Sequence, residues 1–181
     1  MSKIDLYKEI TPRYDLLTGL LTRKSFESKY SSISNIDDYY LAMVDLDYMM
    51  YFNDRYGHIV GDSYISRMAL LFNYYLDENE VICRFGGDEF IILLKQNPKE
   101  YFKKVNEHLT MIKENDFEFQ RFLPDKELMS KITFSAGVTK ASEYEVSWRK
   151  ADELLYKAKL NGRNKNCIED TIADKGLFSE Q

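Results

Sequence analysis

The chain has 181 residues, of which 44% are hydrophobic and 30% charged, and its formal net charge is −5. This length is enough for one domain with its own core, and the negative charge argues against a nucleic-acid partner. No apolar run approaches the roughly 20 residues of a membrane-spanning helix, and the N-terminus lacks a signal-peptide core. Cys83 and Cys167 are too far apart in sequence to suggest a disulfide framework or a zinc site, so we expect a cytoplasmic protein without a membrane partner.

The N-terminal part of the chain is predicted to lead into a helix. Residues 1–14 mix polar and apolar side chains, and one or two helical turns are expected there. Asp15 and Thr18 are suited to cap the helix that follows, on which Phe26 and Tyr30 mark later turns.

The first predicted strand covers residues 39–44 and ends in Asp45-Leu46-Asp47. Its apolar run indicates a central strand that is buried. A carboxylate at the edge of such a strand costs free energy unless it is paired or binds a metal ion. Asp45 is therefore a candidate metal ligand, and the alternative is an aspartate that caps the next turn. A helix is then predicted from Gly61 to about Leu76, with Asp62 near its N-terminus, where a carboxylate suits the helix dipole.

The most informative stretch is Arg84-Phe85-Gly86-Gly87-Asp88-Glu89-Phe90, which an apolar run follows at once. The adjacent glycines Gly86 and Gly87 supply the positive φ angles of a tight hairpin turn between apolar arms. Asp88 and Glu89 then project together from a rigid support. Mg²⁺ takes oxygen ligands of this kind and shares its coordination with substrate phosphates. The alternative is a surface hairpin with a solvated acidic tip.

The C-terminal half is predicted to contain two helices and two strands. In chain order we expect a helix over 98–113, a hairpin or loop over 115–130, a strand over 131–140, a helix over 147–161 that buries Trp148, a C-cap at Gly162, a short strand over 166–168 and a polar tail over 169–181. The resulting order β-α-β-β-α-β predicts a ferredoxin-like α+β fold, with a mostly antiparallel central sheet and helices packed around it.

Six sequence blocks, in their order and spacing, resemble those of the GGDEF family, the diguanylate cyclases. They are Asp15–Leu20, Asp45–Asp47, Asn53–Asp62, Arg84–Phe90, Phe134–Val138 and Ala151–Asn164. The resemblance implies a nucleotidyl-cyclase palm fold in which the first strand lies beside the central hairpin, so that Asp45 and Asp88 converge. It divides the chain into a stalk over 1–14, a GGDEF domain over 15–168 and the tail, and it places a sensory domain upstream of this chain.

The resemblance also implies a reaction and a metal site. Family members join two GTP molecules into cyclic di-GMP and release pyrophosphate, and each GTP is presented by one protomer of a homodimer. By position, Asp45, Asp88 and the main-chain carbonyl of Leu46 bind Mg²⁺ or Mn²⁺. Glu89 lies near the metal ions and the reacting hydroxyl, and Asp47 has a weaker claim to direct ligation.

A GTP site is implied by the same comparison. Asn53 and Asp62 match the positions that read guanine, and a carboxylate that accepts from guanine N1–H and its amine favours GTP over ATP. Lys159 and Arg163 match the pair that reaches the triphosphate, beside the turn glycines Gly86–Gly87. The alternative for the two cations is the ordinary preference for positive charge at a helix C-terminus.

Two positions depart from the family pattern. Met50 stands where a lysine usually approaches the phosphates, and loss of such a contact, worth about 1.5–3 kcal/mol, slows a reaction about 10- to 100-fold or more. Asp77-Glu78-Asn79-Glu80 replaces the Arg-x-x-Asp motif of product inhibition, so we expect no feedback inhibition through that site.

The leading hypothesis is an active, metal-dependent diguanylate cyclase that works as a transient dimer. The alternative is a catalytically impaired GTP-binding module that acts by interaction, and Met50 is the residue that favours it.

Overall fold

The computed structural model describes residues 12–116, 120 and 126–169. Most of the predicted lead-in 1–14, the tail after residue 169 and part of the segment 115–130 lie outside the described residues. The strands are β1 (Leu21–Thr22), β2 (Tyr40–Leu46), β3 (Val81–Gly86), β4 (Glu89–Leu94), β5 (Phe134–Lys140) and β6 (Asn166–Ile168). The α-helices are α1 (Arg23–Ser31), α2 (Met49–Tyr56), α3 (His58–Tyr74), α4 (Pro98–Asn115), α5 (Lys126–Lys131) and α6 (Tyr144–Leu160).

The described strands form one sheet in the order β1-β3-β4-β2-β5-β6. The pairs β3–β4, β4–β2 and β2–β5 are antiparallel, whereas the outer pairs β1–β3 and β5–β6 are parallel. The four inner strands have the ferredoxin-like arrangement that the sequence predicted, and β2 lies beside the hairpin β3–β4.

Strand β2 is the centre of the core, because helices cover both faces of the sheet. Ala42 and Val44 pack into the apolar cluster under α3 and α4, while Leu41 and Met43 pack into the cluster that includes residues of α1 and α6. Successive side chains of a strand point to opposite faces, so a strand that is buried on both faces needs an unbroken apolar run. This explains why the sequence of β2 does not alternate.

Several predicted boundaries of the N-terminal half were wrong. Helix α3 begins at His58 rather than at Gly61, and the unpredicted helix α2 precedes it. The two helices meet at Gly57, whose φ of +81° ends α2. Asp15 does not cap α1, which begins only at Arg23; its side chain instead accepts hydrogen bonds from the backbone and hydroxyl of Thr18 within a turn.

The C-terminal half also differs in detail from the prediction. Residues 126–131 are the helix α5, where a hairpin or loop was expected, and strand β5 therefore begins at Phe134. Helix α6 begins at Tyr144, and Trp148 on it is half-buried rather than buried. The glycine at position 162, with a φ of +100°, follows the end of α6 as the C-cap prediction required.

Helix α6 packs directly against the backbone of β5 at Gly137. A Cβ atom built on Gly137 would lie 2.0 Å from the carbonyl oxygen of Ala151 and 2.2 Å from the amide nitrogen of Leu155. Any larger residue there must push the helix off the sheet.

We therefore expect Gly137→Ala to lower the free energy of unfolding by about 3 kcal/mol, because overpacking against backbone atoms cannot be relieved by a side-chain movement. Urea denaturation measures this change. Gly86→Ala is the matched control for stability, since a methyl group there meets no atom within 4 Å. Equal unfolding midpoints for the two variants would contradict the close approach of α6.

Candidate active site

The register of β2 against β4 brings the two predicted acidic segments together. Asp45 is paired with Glu89 across the two strands, and the amide of Leu46 donates to the main-chain carbonyl of Asp88 at 3.2 Å. The hairpin turn that carries Asp88 is held by Arg84, whose Nε donates to the carbonyl oxygen of Gly87 at 2.9 Å. Gly87 has a positive φ of +51° but Gly86 does not, so the prediction of positive φ angles was wrong for Gly86. The predicted convergence of Asp45 with the hairpin therefore follows from main-chain pairing.

The N-terminal turn braces this hairpin. The guanidinium of Arg84 lies 3.3 Å from both carboxylate oxygens of Asp15. Burial raises the pKa of the Asp15 carboxyl, but the hydrogen bonds from Thr18 and the charge of Arg84 outweigh it, so the pKa is lowered. Asp15 is thus a charged link between the first sequence block and the hairpin.

Asp45 is a buried carboxylate in an acidic neighbourhood. It is 8% exposed, and the Nζ atom of Lys159 lies 2.8 Å from its Oδ2 atom. Burial raises the pKa of Asp45 from 3.8 to about 6; Lys159 acts in the opposite direction, while the charges of Asp88 and Glu89 raise it further. The pKa of Glu89 is also raised, chiefly by burial. A cation at this place would relieve the repulsion among these groups.

The oxygen-rich donor set fits a hard divalent cation in chemical type. The predicted ligands Asp45 and Asp88 would contribute two carboxylates, and the third predicted ligand is the main-chain carbonyl of Leu46. Within residues 12–116, 120 and 126–169, no group of three or more His, Cys, Asp and Glu side chains is arranged to hold a metal ion.

The predicted guanine-reading residues lie together at the joint between α2 and α3. Asn53 is on α2, and Asp62 is exposed in the second turn of α3. A Cβ atom on Gly61 would lie 1.9 Å from the Asn53 Oδ1 atom, so Gly61 lets the two helices meet there. That Oδ1 atom is buried and has no hydrogen-bond partner in the described part of the chain. The joint therefore carries a buried amide oxygen without a partner among the described residues and, directly after Gly61, an exposed carboxylate.

The two predicted phosphate-binding cations have different partners. Lys159, in the last turn of α6, pairs with Asp45. Arg163 lies beyond the helix end with a φ of +62°, and its guanidinium stacks 5.1 Å from the ring centre of Tyr48. Both cations lie on the Asp45 side of the molecule, but they do not share one helix face.

A residue whose role the sequence underestimated is Asp47. It is 3% exposed, and its carboxylate accepts from the hydroxyls of Thr133 at 2.7 Å and Ser135 at 2.8 Å and from the amide of Asn164 at 3.0 Å. The Asp-x-Asp spacing could have shown that Asp45 and Asp47 leave the strand on the same face. It could not show that β5 and the turn after α6 supply the donors.

The two departures from the family pattern differ in their surroundings. Met50 is 79% exposed in the first turn of α2. Glu80 is 8% exposed and accepts from the amides of Lys95 at 2.6 Å and Gln96 at 2.8 Å. Glu80 thus braces the hairpin from within, and the expected lack of feedback inhibition stays a prediction.

The raised pKa of Asp45 predicts a pH-dependent cost to folding. The native protein binds the Asp45 proton more tightly than the unfolded chain does. Protonation of Asp45 therefore favours folding below about pH 4, and this stabilisation is lost as the pH rises to about 6. The shift from 3.8 to about 6 corresponds to at most about 3 kcal/mol. Asp45→Asn removes the charge and should melt at a higher temperature than the wild type near neutral pH.

Thermal unfolding in a metal chelator between about pH 4 and pH 8 tests this, because the difference between variant and wild type should grow from near zero as the pH rises. Asp38→Asn, at the other end of β2 and exposed, should show no pH-dependent difference. If Asp45→Asn melts below the wild type at neutral pH, the Lys159 ion pair outweighs the burial cost and the prediction is wrong.

Comparison with known proteins extends these observations. A family model described as "Diguanylate cyclase, GGDEF domain" matches residues 13–165. The chain is 29% identical over 178 residues to the probable diguanylate cyclase DgcT of Escherichia coli (strain K12), covering 94% of this chain and 38% of that protein. It is 29% identical over 167 residues to diguanylate cyclase DgcZ of the same strain, covering 89% of this chain and 55% of DgcZ. The chain therefore spans less than two thirds of the length of either relative.

Solved structures show the same fold. The GGDEF domain of DgcB from Caulobacter crescentus, solved in complex with c-di-GMP, matches with a TM-score of 0.71 at 23% identity, over 87% of this chain and 96% of that one. The predicted palm-type α+β fold is thereby confirmed. No helix among the described residues is long and apolar enough to span a membrane. Because the family model matches most of the chain, the protein belongs to the GGDEF family of diguanylate cyclases.

Proposed function

We propose that the chain is a diguanylate cyclase that condenses two GTP molecules into one cyclic di-GMP and two pyrophosphates. The observation that supports this best is the β2–β4 register, which places Asp45 and Leu46 directly beside Asp88 and Glu89. Carboxylates held in place by main-chain pairing are preorganised to bind a divalent cation, which would neutralise charge at a reacting phosphate. The domain proposal is that residues 15–168 form the cyclase and that 1–14 join it to an upstream sensory domain.

The proposed roles follow from position in the site. Asn53 and Asp62 hold the guanine edge through the amide oxygen and the carboxylate at the α2–α3 joint. Lys159 and Arg163 bind the triphosphate, beside the turn glycines Gly86–Gly87. The 3′-hydroxyl of each GTP then attacks the α-phosphate of the other, and each attack releases one pyrophosphate; Glu89 would lie near a reacting hydroxyl.

The proposed cofactor is Mg²⁺ or Mn²⁺, held by Asp45, Asp88 and the Leu46 carbonyl. When bound, such an ion neutralises phosphate charge and polarises the attacking and leaving oxygens. Lys159 competes for the same carboxylate, because its Nζ atom lies 2.8 Å from Asp45. Lys159 must therefore leave Asp45 before it contacts phosphate.

The reaction requires two protomers, since each presents one GTP to the other. We propose a transient homodimer with the two hairpins facing each other, acting in the cytoplasm without a nucleic-acid or membrane partner. A GTP-binding module without turnover is the second candidate, and the exposed Met50 in place of a phosphate-directed lysine favours it.

The decisive experiment is to incubate concentrated protein with GTP and Mg²⁺ and to identify the nucleotide products by chromatography with mass detection. We expect cyclic di-GMP from the wild type and none from Asp88→Ala, which removes a carboxylate from the hairpin. Asp38→Ala, which removes an exposed carboxylate away from the site, should behave as the wild type. Measurable GTP binding without product, even after a fused dimerisation segment forces the protomers together, would reject the cyclase and leave the binding module.

Replacing Met50 by lysine should raise turnover. The side chain at this position is 79% exposed in the first turn of α2, so a lysine fits without repacking. If it reaches the phosphates, one charge-assisted contact raises kcat by about tenfold or more. Initial rates of cyclic di-GMP formation at saturating GTP measure this change.

Leu70→Lys is the matched control, because Leu70 is 67% exposed on α3 and its replacement changes the net charge by the same amount. An equal rise in both variants would assign the gain to overall charge. No rise in Met50→Lys would mean that this position does not face the phosphates.

A further inference from the structure

The second aspartate of the Asp45-Leu46-Asp47 segment is hydrogen-bonded to two separate parts of the chain, the start of β5 and the turn after α6. Its Oδ1 atom accepts from Ser135, and its Oδ2 atom accepts from Thr133 and from the amide of Asn164. Its own amide donates to the carbonyl of Thr133 at 2.9 Å. With 3% exposure, Asp47 has its carboxylate oxygens committed to protein donors, which makes it a poor metal ligand.

The hydrogen bond from the Asn164 amide comes from a segment of strained backbone, residues 163 and 164. Arg163 and Asn164 have φ values of +62° and +49°, in the left-handed region, which is unfavourable for arginine and less so for asparagine. Such geometry persists only where the surroundings hold it in place. The hydrogen bond from the Asn164 amide to the buried Asp47 carboxylate is a restraint of this kind.

The turn formed by Arg163 and Asn164 is also contacted by Tyr48, the residue that follows Asp47. Tyr48 also has a positive φ, +61°, and its ring stacks against the Arg163 guanidinium. Asp47 therefore holds the Arg163–Asn164 turn through the hydrogen bond from the Asn164 amide, while the Tyr48 ring supports the Arg163 guanidinium. Lys159 approaches from α6, so both cations of the proposed phosphate site are held by residues at the end of β2.

We propose that Asp47 is a positioning residue, which locks the Arg163–Asn164 turn so that the Arg163 guanidinium is preorganised for the β- and γ-phosphates of GTP. The inference rests on the proposed GTP site and adds to it that triphosphate affinity depends on a carboxylate that touches no nucleotide. Asp47 acts through the turn, and guanine binding at the α2–α3 joint does not depend on it.

The test compares two nucleotides on the full chain. 3′-Deoxy-GTP lacks the attacking hydroxyl and is not consumed, and GMP lacks the β- and γ-phosphates. With Mg²⁺ at one fixed concentration, calorimetry should show that Asp47→Ala weakens 3′-deoxy-GTP binding about tenfold or more, yet weakens GMP binding less than about twofold. Asp47→Asn, whose amide oxygen can still accept from Asn164, should fall between the wild type and Asp47→Ala. Asp38→Ala should change neither affinity.

A ligand-free measurement separates this inference from the proposed function. Amide hydrogen exchange at Asn164 should be protected in the wild type and at least about tenfold faster in Asp47→Ala. If Asp47→Ala does not fold, Asp47→Asn takes its place in both measurements, with smaller changes in the same directions.

The outcomes are distinct. Equal weakening of both nucleotides, or unchanged Asn164 exchange, overturns the positioning role while the GTP site stands. A wild type that binds GMP and 3′-deoxy-GTP equally well overturns the phosphate role of Arg163. A wild type that binds neither nucleotide overturns the proposed function and, with it, the inference.

Discussion

The structure depends on the antiparallel pairing of β2 with β4. Helices cover both faces of β2, so the polar groups at the end of this strand need partners within the protein. The two aspartates there have different partners. Asp45 is paired with Lys159 and lies near acidic residues, whereas Asp47 accepts three hydrogen bonds. Desolvation makes both carboxylates expensive when unpartnered, so the end of this strand organises the turn after α6 as well as the hairpin.

The apolar runs and the glycine hairpin were enough to predict the strands of the inner sheet, whereas the convergence of Asp45 with the hairpin was predicted from the family resemblance. Helix α2 was missed because only Met49 and Phe52 of it are buried, which leaves a weak periodic pattern. Asp15 was read as a helix cap because a local pattern cannot reveal Arg84, its partner 69 positions away. The Lys159–Asp45 pair was missed for the same reason, since only the packing of α6 on β5 brings them together.

The Lys159–Asp45 contact bears on both proposed functions, the cyclase and the binding module, through the free energy of ligand binding. A lysine that neutralises the buried aspartate lowers the cost of folding the site when no ligand is bound. In the proposed site, metal and nucleotide would together replace that interaction, so part of their binding free energy would be spent on separating the pair. A chain that also lacks the lysine at position 50 has less cationic attraction to offset this cost, which connects Met50 to affinity as well as to rate.

The glycine joint at Gly57 has a consequence for how this protein can change over evolution. The proposed guanine-reading side chains lie on α2 and α3, which meet at Gly57, a residue with a φ of +81°. The proposed acidic centre lies instead on the sheet. In the proposed site, substitutions at the joint would therefore change base selectivity without altering the acidic residues, and loss of the acidic residues would leave the guanine-reading side chains in place. Recognition and chemistry would then be separable within one small domain.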